Sequence, residues 1–113
     1  MPKTTTTPFC EQFNPSPKIP TQSSPPGLCD THMHICGPAS SYSYSESRTY
    51  TPPDSLLADY LYLAQVLKIE RVVFIQPSIY GENNAAMLKA MAECPLTNRG
   101  VAVLNIDATD TQI

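Results

Sequence analysis

The sequence predicts an α/β fold in which short parallel strands alternate with helices in the order β-α-β-α-β. Two observations support this prediction. Ten of the 12 prolines lie before residue 54, so a proline-rich leader precedes a region of more ordinary composition. After residue 27, short apolar runs bounded by turn residues alternate with two segments of helical periodicity. Strands joined by helices pair in parallel through right-handed crossovers, and we therefore expect one parallel sheet.

Residues 1–27 are predicted to form a disordered arm. They contain seven prolines, a threonine run and few apolar side chains. Such a segment cannot bury enough apolar surface to offset the entropy lost on ordering. A docking peptide is the alternative interpretation of the arm. The ordered domain is expected over residues 28–113.

Turn and capping signals predict the first strand and the first helix. Residues 28–35 lie between a Pro-Pro-Gly and a Gly-Pro sequence, which indicates a short strand. Thr51 is expected to cap the following helix, with proline at its first position and Asp54 near the positive end of its dipole. The stripe that should face the core contains Leu57, Tyr60, Leu61, Ala64 and Leu67.

The second half of the chain repeats this pattern. Four consecutive apolar residues at 72–75 are typical of a strand covered on both faces. Asn83 or Asn84 is expected to cap a second helix, which Pro95 ends. A third strand is predicted over residues 101–106. The core-facing residues of the second helix are expected to be Met87, Leu88 and Met91.

Charge and cysteine content exclude several classes of protein. The net charge is −3 and only 15% of residues are charged, which does not suggest a nucleic-acid partner. No apolar run approaches the roughly 20 residues of a membrane span, and no signal peptide is recognisable. The four cysteines form no Cys-x-x-Cys pair. Free thiols in the cytoplasm are the favoured interpretation; disulfides or a structural zinc site are the alternatives.

The two histidines of the chain are the candidate catalytic residues. His32 and His34 are two residues apart on a predicted strand, so both rings should leave the same face. Asp30 is expected on that face, deeper in the sheet. Two imidazoles so placed can bind a metal or polarise a carbonyl group. The same pattern also occurs in ordinary strands, and a metal cluster that includes Cys36 is a further alternative.

The sequence resembles a known family around these histidines. Residues 30–38 contain Asp-Thr-His-Met-His-Ile followed by Gly-Pro, which resembles the first-strand motif of the amidohydrolase superfamily. Residues 48–53, 69–81 and 99–103 extend the similarity to the family of 2-pyrone-4,6-dicarboxylate lactonases. The resemblance covers residues 28–110 and is much more specific than the histidine pair alone.

The resemblance implies a (β/α)8 TIM-barrel hydrolase that opens a cyclic ester by water addition. A small carboxylate or lactone would be its substrate, and no nucleic acid or membrane its partner. His32 and His34 would lie beside the substrate carbonyl, while Tyr50 and Ser78 would contact the substrate. From the residues alone, Tyr50 is equally a packed loop aromatic and Ser78 a turn hydroxyl. Lactonases of this family work without a bound metal, so none is expected; zinc or manganese on the two histidines is the alternative.

The length of the chain limits these expectations. A barrel of eight βα units needs roughly 250 residues, and residues 28–113 amount to about three units. We therefore expect a fragment, with the water-activating aspartate and the substrate-binding arginines of the family beyond Ile113 and no turnover by the isolated chain. A metal-dependent decarboxylase or amide hydrolase on the same barrel is one alternative. A non-catalytic truncated protein is another.

Overall fold

A computed structural model describes residues 7–113 and contains a three-stranded parallel sheet flanked by two helices. The strands lie in the sheet in their order along the chain. This confirms the predicted element order and parallel pairing. The elements are β1 (Cys29–Met33), α1 (Leu57–Leu67), β2 (Arg71–Ile75), a short 3-10 helix (Ser78–Tyr80), α2 (Ala85–Glu93) and β3 (Thr97–Val101).

The hydrophobic core lies between the sheet and both helices. Val72 and Phe74 of β2 are 1% and 0% exposed, and they pack in one cluster with side chains from both helices. Both helices therefore cover the same face of the sheet. The residues that β2 directs to the other face, Val73 and Ile75, are only partly buried. The helical contributors to the core are Tyr60 and Ala64 from α1 and Met87 and Ala90 from α2.

A β-bulge interrupts the pairing of β1 with β2. Asp30 is opposite Val72 and Met33 is opposite Phe74, so three steps along β1 match two steps along β2. Paired residues of a parallel sheet lie on the same face, and Met33 is accordingly buried in the core. The bulge thus decides which side chains at the end of β1 face away from the helices.

The first helix begins later than the sequence suggested. Thr51 does not cap it; Thr51 is buried and pairs through its backbone with Phe9 of the arm. Helix α1 starts at Leu57, where the Asp59 carboxylate accepts a hydrogen bond from the N–H of Leu56 at 2.9 Å. The two prolines at 52–53 occupy an extended segment before the helix. The prediction that Thr51 caps the helix and that proline occupies its first position is therefore wrong.

The second helix and the third strand also differ in their boundaries. Helix α2 begins after Asn84, but the Asn84 side chain bonds both backbone groups of Val103 at 3.0 Å instead of capping the helix. Asn83 Oδ1 accepts the N–H of Ala85 at 3.1 Å. The strand predicted over residues 101–106 is wrong, since β3 is Thr97–Val101. The five residues of β2 determine which residues of β3 can pair with it, Thr97 to Val101. The apolar run at 101–106 continues beyond the last paired residue.

Both helices are short, with eleven residues in α1 and nine in α2. No helix within residues 7–113 combines the length and apolar character needed to cross a membrane.

Lys68 ends α1 with φ of 60°, a left-handed conformation in which its N–H donates to the carbonyls of Ala64 and Gln65. This closure directs the chain into β2 without a glycine.

The long segment between β1 and α1 is a closed loop. The N–H of Cys36 donates to the carbonyl of Ser55 at 3.0 Å, and the N–H of Ser55 donates to the carbonyl of Cys36 at 2.7 Å. These two bonds join the ends of the loop, residues 37–54. Its interior packs as a second small cluster around Ile79 and Tyr80.

The described part of the arm, residues 7–27, contacts the domain at more than one place. The N–H of Cys10 donates to the carbonyl of Thr51 at 2.9 Å, and the N–H of Thr51 donates to the carbonyl of Pro8 at 2.7 Å. Near β1, the Ser24 hydroxyl bonds the carbonyl of Leu67. Residues 7–27 form no helix or strand apart from this one bridge. The disorder expected of residues 1–27 stays a prediction, and residues 1–6 lie outside the described part.

Candidate active site

The two histidines form a pair at the carboxyl end of β1. Their rings lie edge to face, with centroids 5.1 Å apart and an angle of 85° between the planes. Both side chains are exposed, whereas Met33 between them is buried. Because side chains alternate along a strand, His32 and His34 project from the face that carries no helix. The structure thus brings the pair together, as the two-residue spacing predicts.

A backbone carbonyl orients one of the two rings. Nδ1 of His34 lies 2.8 Å from the carbonyl oxygen of Ile75, at the end of β2. A carbonyl only accepts hydrogen bonds, so Nδ1 carries the proton in this contact. The Nε2 atom of a neutral His34 is then an unprotonated acceptor, and it becomes a donor when the ring is charged.

Asp30 does not share the face of the histidines, and that prediction is wrong. The bulge places Asp30 beside Val72, on the side of the helices. Its Oδ2 atom accepts a hydrogen bond of 2.8 Å from the hydroxyl of Tyr60 on α1. Its Oδ1 atom accepts the backbone N–H of His32 at 3.0 Å. Alternation counted along a regular strand could not anticipate this, because one extra residue reverses it.

Tyr50 and Ser78 lie in the two loops that follow β1 and β2. Tyr50 is half-buried and packs against the second cluster, whereas Ser78 is exposed at the first position of the 3-10 helix. The N–H of Ser45 donates to the carbonyl of Ile79 at 2.6 Å and so joins the two loops. Within residues 7–113, neither side chain bonds an imidazole. The four candidate residues therefore lie at or after the carboxyl ends of two neighbouring strands, and the two histidine rings lie next to each other.

Gln76 was not recognised from the sequence and holds the loop of Ser78. It directly follows β2, it is only 5% exposed, and its Nε2 donates to the carbonyls of Gly81 and Asn83 at 3.1 and 2.9 Å. Its backbone N–H donates to the carbonyl of Val101 at 3.0 Å. A polar residue directly after a four-residue apolar run was the available signal. Gln76 therefore connects the sheet to the loop that presents Ser78.

The surroundings of Cys36 do not favour a metal centre in this region. Cys36 is buried, and burial, followed by the nearby Cys10 and Asp54, raises the pKa of its thiol from 9.0 to about 11. A metal-binding cysteine is a thiolate, and this environment disfavours that form. No cluster of three or more potential ligand side chains occurs in residues 7–113. His32 and His34 could supply two of the three protein ligands usual for catalytic zinc.

A cleft of about 650 Å³ opens beside His34 between α1 and the arm. Its walls are mainly apolar and include Phe13 and Pro15 of the arm and Tyr62 and Leu63 of α1. Of the four candidate residues, His34 alone lines it. The arm therefore reaches the neighbourhood of the histidine pair, which its composition did not predict.

Comparison with known proteins identifies the family. The sequence profile of a family described as amidohydrolase matches residues 29–113, about three quarters of the chain. The chain belongs to the amidohydrolase family. It is 49% identical over 67 residues to the 4-sulfomuconolactone hydrolase of Hydrogenophaga intermedia, a match covering 59% of this chain and 22% of that protein. It is 31% identical over 98 residues to the 2-pyrone-4,6-dicarboxylate hydrolase of Comamonas testosteroni, covering 87% of this chain and 32% of the relative.

Solved structures agree with the fold. A probable 2-pyrone-4,6-dicarboxylic acid hydrolase of Acinetobacter baumannii, crystallised with citric acid, superposes with a TM-score of 0.67 at 27% identity, over 74% of this chain and 31% of that one. A protein of Agrobacterium tumefaciens in its apo form gives a TM-score of 0.72 at 28% identity, over 82% and 34% of the two chains. The chain thus spans between a fifth and a third of the length of its relatives. Its β-α-β-α-β fold is part of a (β/α)8 barrel, as predicted.

Proposed function

We propose that this chain is the part of a lactone hydrolase that carries its histidine pair. The observation that carries the proposal is the placement of His32 and His34, side by side at the carboxyl end of β1 on the face without helices. Catalytic groups of parallel barrels lie at this end of the strands. The proposed substrate is a cyclic ester with an acidic substituent, a class that includes the lactones in the names of both relatives.

The tautomer of His34 indicates what the pair would do. With Nδ1–H held by the carbonyl of Ile75, Nε2 is the ring nitrogen left to act on a substrate, and it donates a hydrogen bond when the imidazole is charged. Such a donor stabilises the negative charge that develops on a carbonyl oxygen when water attacks an ester. His32, with its ring 5.1 Å away, would act on the same oxygen. Tyr50 and Ser78 are proposed as substrate contacts from the loops after β1 and β2.

We propose that this chemistry needs no metal. The support is the resemblance to the lactonase family, whose members work without a bound metal. If zinc or manganese is used, His32 and His34 would hold it, and the metal would polarise the carbonyl in their place. A cytoplasmic location is proposed as well, supported by four free cysteines.

A chimera tests the proposed function. In the chimera, residues 1–113 replace the matching third of the Comamonas testosteroni hydrolase. Opening of 2-pyrone-4,6-dicarboxylate and of 4-sulfomuconolactone is measured as loss of ultraviolet absorbance. We expect turnover of at least one lactone, and a loss of kcat of about 100-fold or more in His32→Ala and His34→Ala. Gln65→Ala, an exposed change on α1, is the matched control and should retain activity.

Two results would contradict the proposal. One is a chimera that is folded by circular dichroism but opens neither lactone. The other is a His34→Ala variant as active as its parent. Elemental analysis of the active chimera decides the metal question, because one zinc or manganese per chain that is lost in His32→Ala would replace the metal-free mechanism.

A further inference from the structure

The β-bulge in β1 leaves the backbone of His32 with an unusual partner. Three steps along β1 from Asp30 to Met33 span the distance that Val72 to Phe74 cover in two steps. A bulge disrupts the ladder locally and leaves a backbone group without a strand partner. The N–H of His32 instead donates to Oδ1 of Asp30, at 3.0 Å. The carboxylate thus bonds the backbone within the bulge, at the residue that carries the first imidazole.

The same carboxylate is held from the helix. The hydroxyl of Tyr60 donates to Oδ2 of Asp30 at 2.8 Å, and Tyr60 is 9% exposed. Burial raises the pKa of Tyr60, and the hydrogen bond and charge of Asp30 raise it further, so the phenol remains a donor at physiological pH. One oxygen of Asp30 therefore bonds β1 and the other bonds α1.

We propose that Asp30 is a positioning residue that, together with Tyr60, fixes the bulge which turns His32 and His34 onto the open face of the sheet. A regular ladder would shift the residues after Asp30 by one position, and a one-residue slip moves every following side chain to the opposite face. This role of Asp30 deepens the proposed function. It rests on the proposed function in one respect, namely that the two histidines are the reacting pair. The rival explanation is that burial of Met33 alone holds the bulge.

Substitutions of similar shape separate the two explanations. Asp30→Asn keeps an oxygen that can accept the N–H of His32, whereas Asp30→Leu keeps the branched shape at Cγ, is larger, and has no acceptor. Tyr60→Phe removes the anchor on Oδ2, and Tyr62→Phe on the same helix is its control, since Tyr62 is 52% exposed. The measurements are amide hydrogen exchange at His32 and the nitrogen chemical shifts of both imidazoles in the full 113-residue chain. Exchange at Phe74 reports global stability.

We expect Asp30→Leu to accelerate exchange at the His32 amide by about 10- to 100-fold relative to Phe74, as expected for loss of a hydrogen bond to a charged acceptor. Both imidazole shifts should move as well. Asp30→Asn should restore the shifts and most of the protection, and Tyr60→Phe should give an intermediate acceleration that Tyr62→Phe lacks. If Asp30→Leu does not fold, the comparison of Asp30→Asn with the two tyrosine variants decides.

The inference is wrong if Asp30→Leu is folded and keeps the His32 exchange rate and imidazole shifts of the parent. It is also wrong if Asp30→Asn loses protection as fully as Asp30→Leu, or if Tyr60→Phe matches Tyr62→Phe. None of these readouts requires turnover. If the chimera is inactive but the Asp30 variants change exchange and imidazole shifts as expected, the proposed function is rejected and the positioning role of Asp30 is retained.

Discussion

Replacing Gln76 with glutamate tests how strongly the end of β2 depends on one buried amide. The amide nitrogen donates to the carbonyls of Gly81 and Asn83 at 3.1 and 2.9 Å, and within residues 7–113 its oxygen has no partner. Both carbonyls need a donor, which fixes the orientation of the amide. Gln76→Glu removes both donors and places a carboxylate opposite two carbonyl oxygens, at a site 5% exposed.

The magnitude follows from two contributions. Two side-chain to backbone hydrogen bonds are worth about 1 kcal/mol each. A buried charge without a partner adds about 3 kcal/mol. We therefore expect Gln76→Glu to lower the free energy of unfolding by about 5 kcal/mol at pH 7, and Gln76→Met, which loses only the hydrogen bonds, by about 2 kcal/mol.

The pH dependence gives the sharper test. Burial disfavours the carboxylate, so in Gln76→Glu the folded-state pKa of the introduced carboxyl group should rise above the ordinary glutamate value of about 4.3. The folded state then binds more protons than the unfolded state. The contribution of this carboxyl group to stability is therefore most favourable below about pH 4, and it falls as pH rises through the folded-state pKa. The difference in stability between Gln76→Glu and Gln76→Met should therefore shrink toward zero at about pH 4.

Urea unfolding followed by circular dichroism at pH 4 and pH 7 provides the measurement. Gln65→Glu, at an exposed position of α1, controls for the added charge and should change stability by less than about 0.5 kcal/mol. Equal stability losses in Gln76→Glu and Gln76→Met at pH 7 would refute the argument that the site is closed to a charge.

Two further predictions concern the loop after β1. Cys36 should be alkylated by iodoacetamide at pH 8 far more slowly than exposed Cys10, because a pKa raised from 9.0 to about 11 lowers the thiolate fraction of Cys36 by about 100-fold. Mass spectrometry of the two cysteine-containing peptides measures the two rates, and similar rates would contradict the prediction. Gly37→Ala should cost about 3 kcal/mol in thermal unfolding, since its φ is +100° and the new Cβ would lie 2.8 Å from Cγ of Asp54. Gly27 has φ of +81°, and within residues 7–113 no atom beyond its chain neighbours lies within 4 Å of the added Cβ. Gly27→Ala should therefore cost only the backbone strain of about 1–2 kcal/mol; equal costs for the two variants would reject the steric contribution.

The element order and the histidine pair could be predicted because each depends on a short-range pattern. Four apolar residues in a row identified β2, and the two-residue spacing placed His32 beside His34. Parallel pairing then followed from the alternation of strands with helices. The resemblance used the same short segments; the family match over residues 29–113 confirms the amidohydrolase family, and the similarity to a 2-pyrone-4,6-dicarboxylate hydrolase agrees with the lactonase resemblance.

The remaining features depend on partners that are distant in sequence. Thr51 has the side chain of a helix cap, but it is buried by pairing with an arm residue 42 positions earlier. Regular alternation would place Asp30 on the same face as His32 and His34, but the bulge between Asp30 and Met33 reverses this, and its position depends on the pairing with β2. The length of β3 depends on β2 as well, so apolar character alone placed it four residues too late. Long-range contacts overrode local propensity in each of these cases.

The closed loop at residues 37–54 has a consequence for how such a protein could diversify. The reciprocal bonds between Cys36 and Ser55 hold its two ends together, so a change of loop length between them need not displace the strand before it or the helix after it. Doubling the length of a flexible loop costs only about 0.6 kcal/mol in closure entropy. Insertions and deletions here can therefore reshape the surroundings of Tyr50, a proposed substrate contact, while β1 keeps its histidines in place. The proposed substrate contacts and the barrel framework could then change independently during evolution.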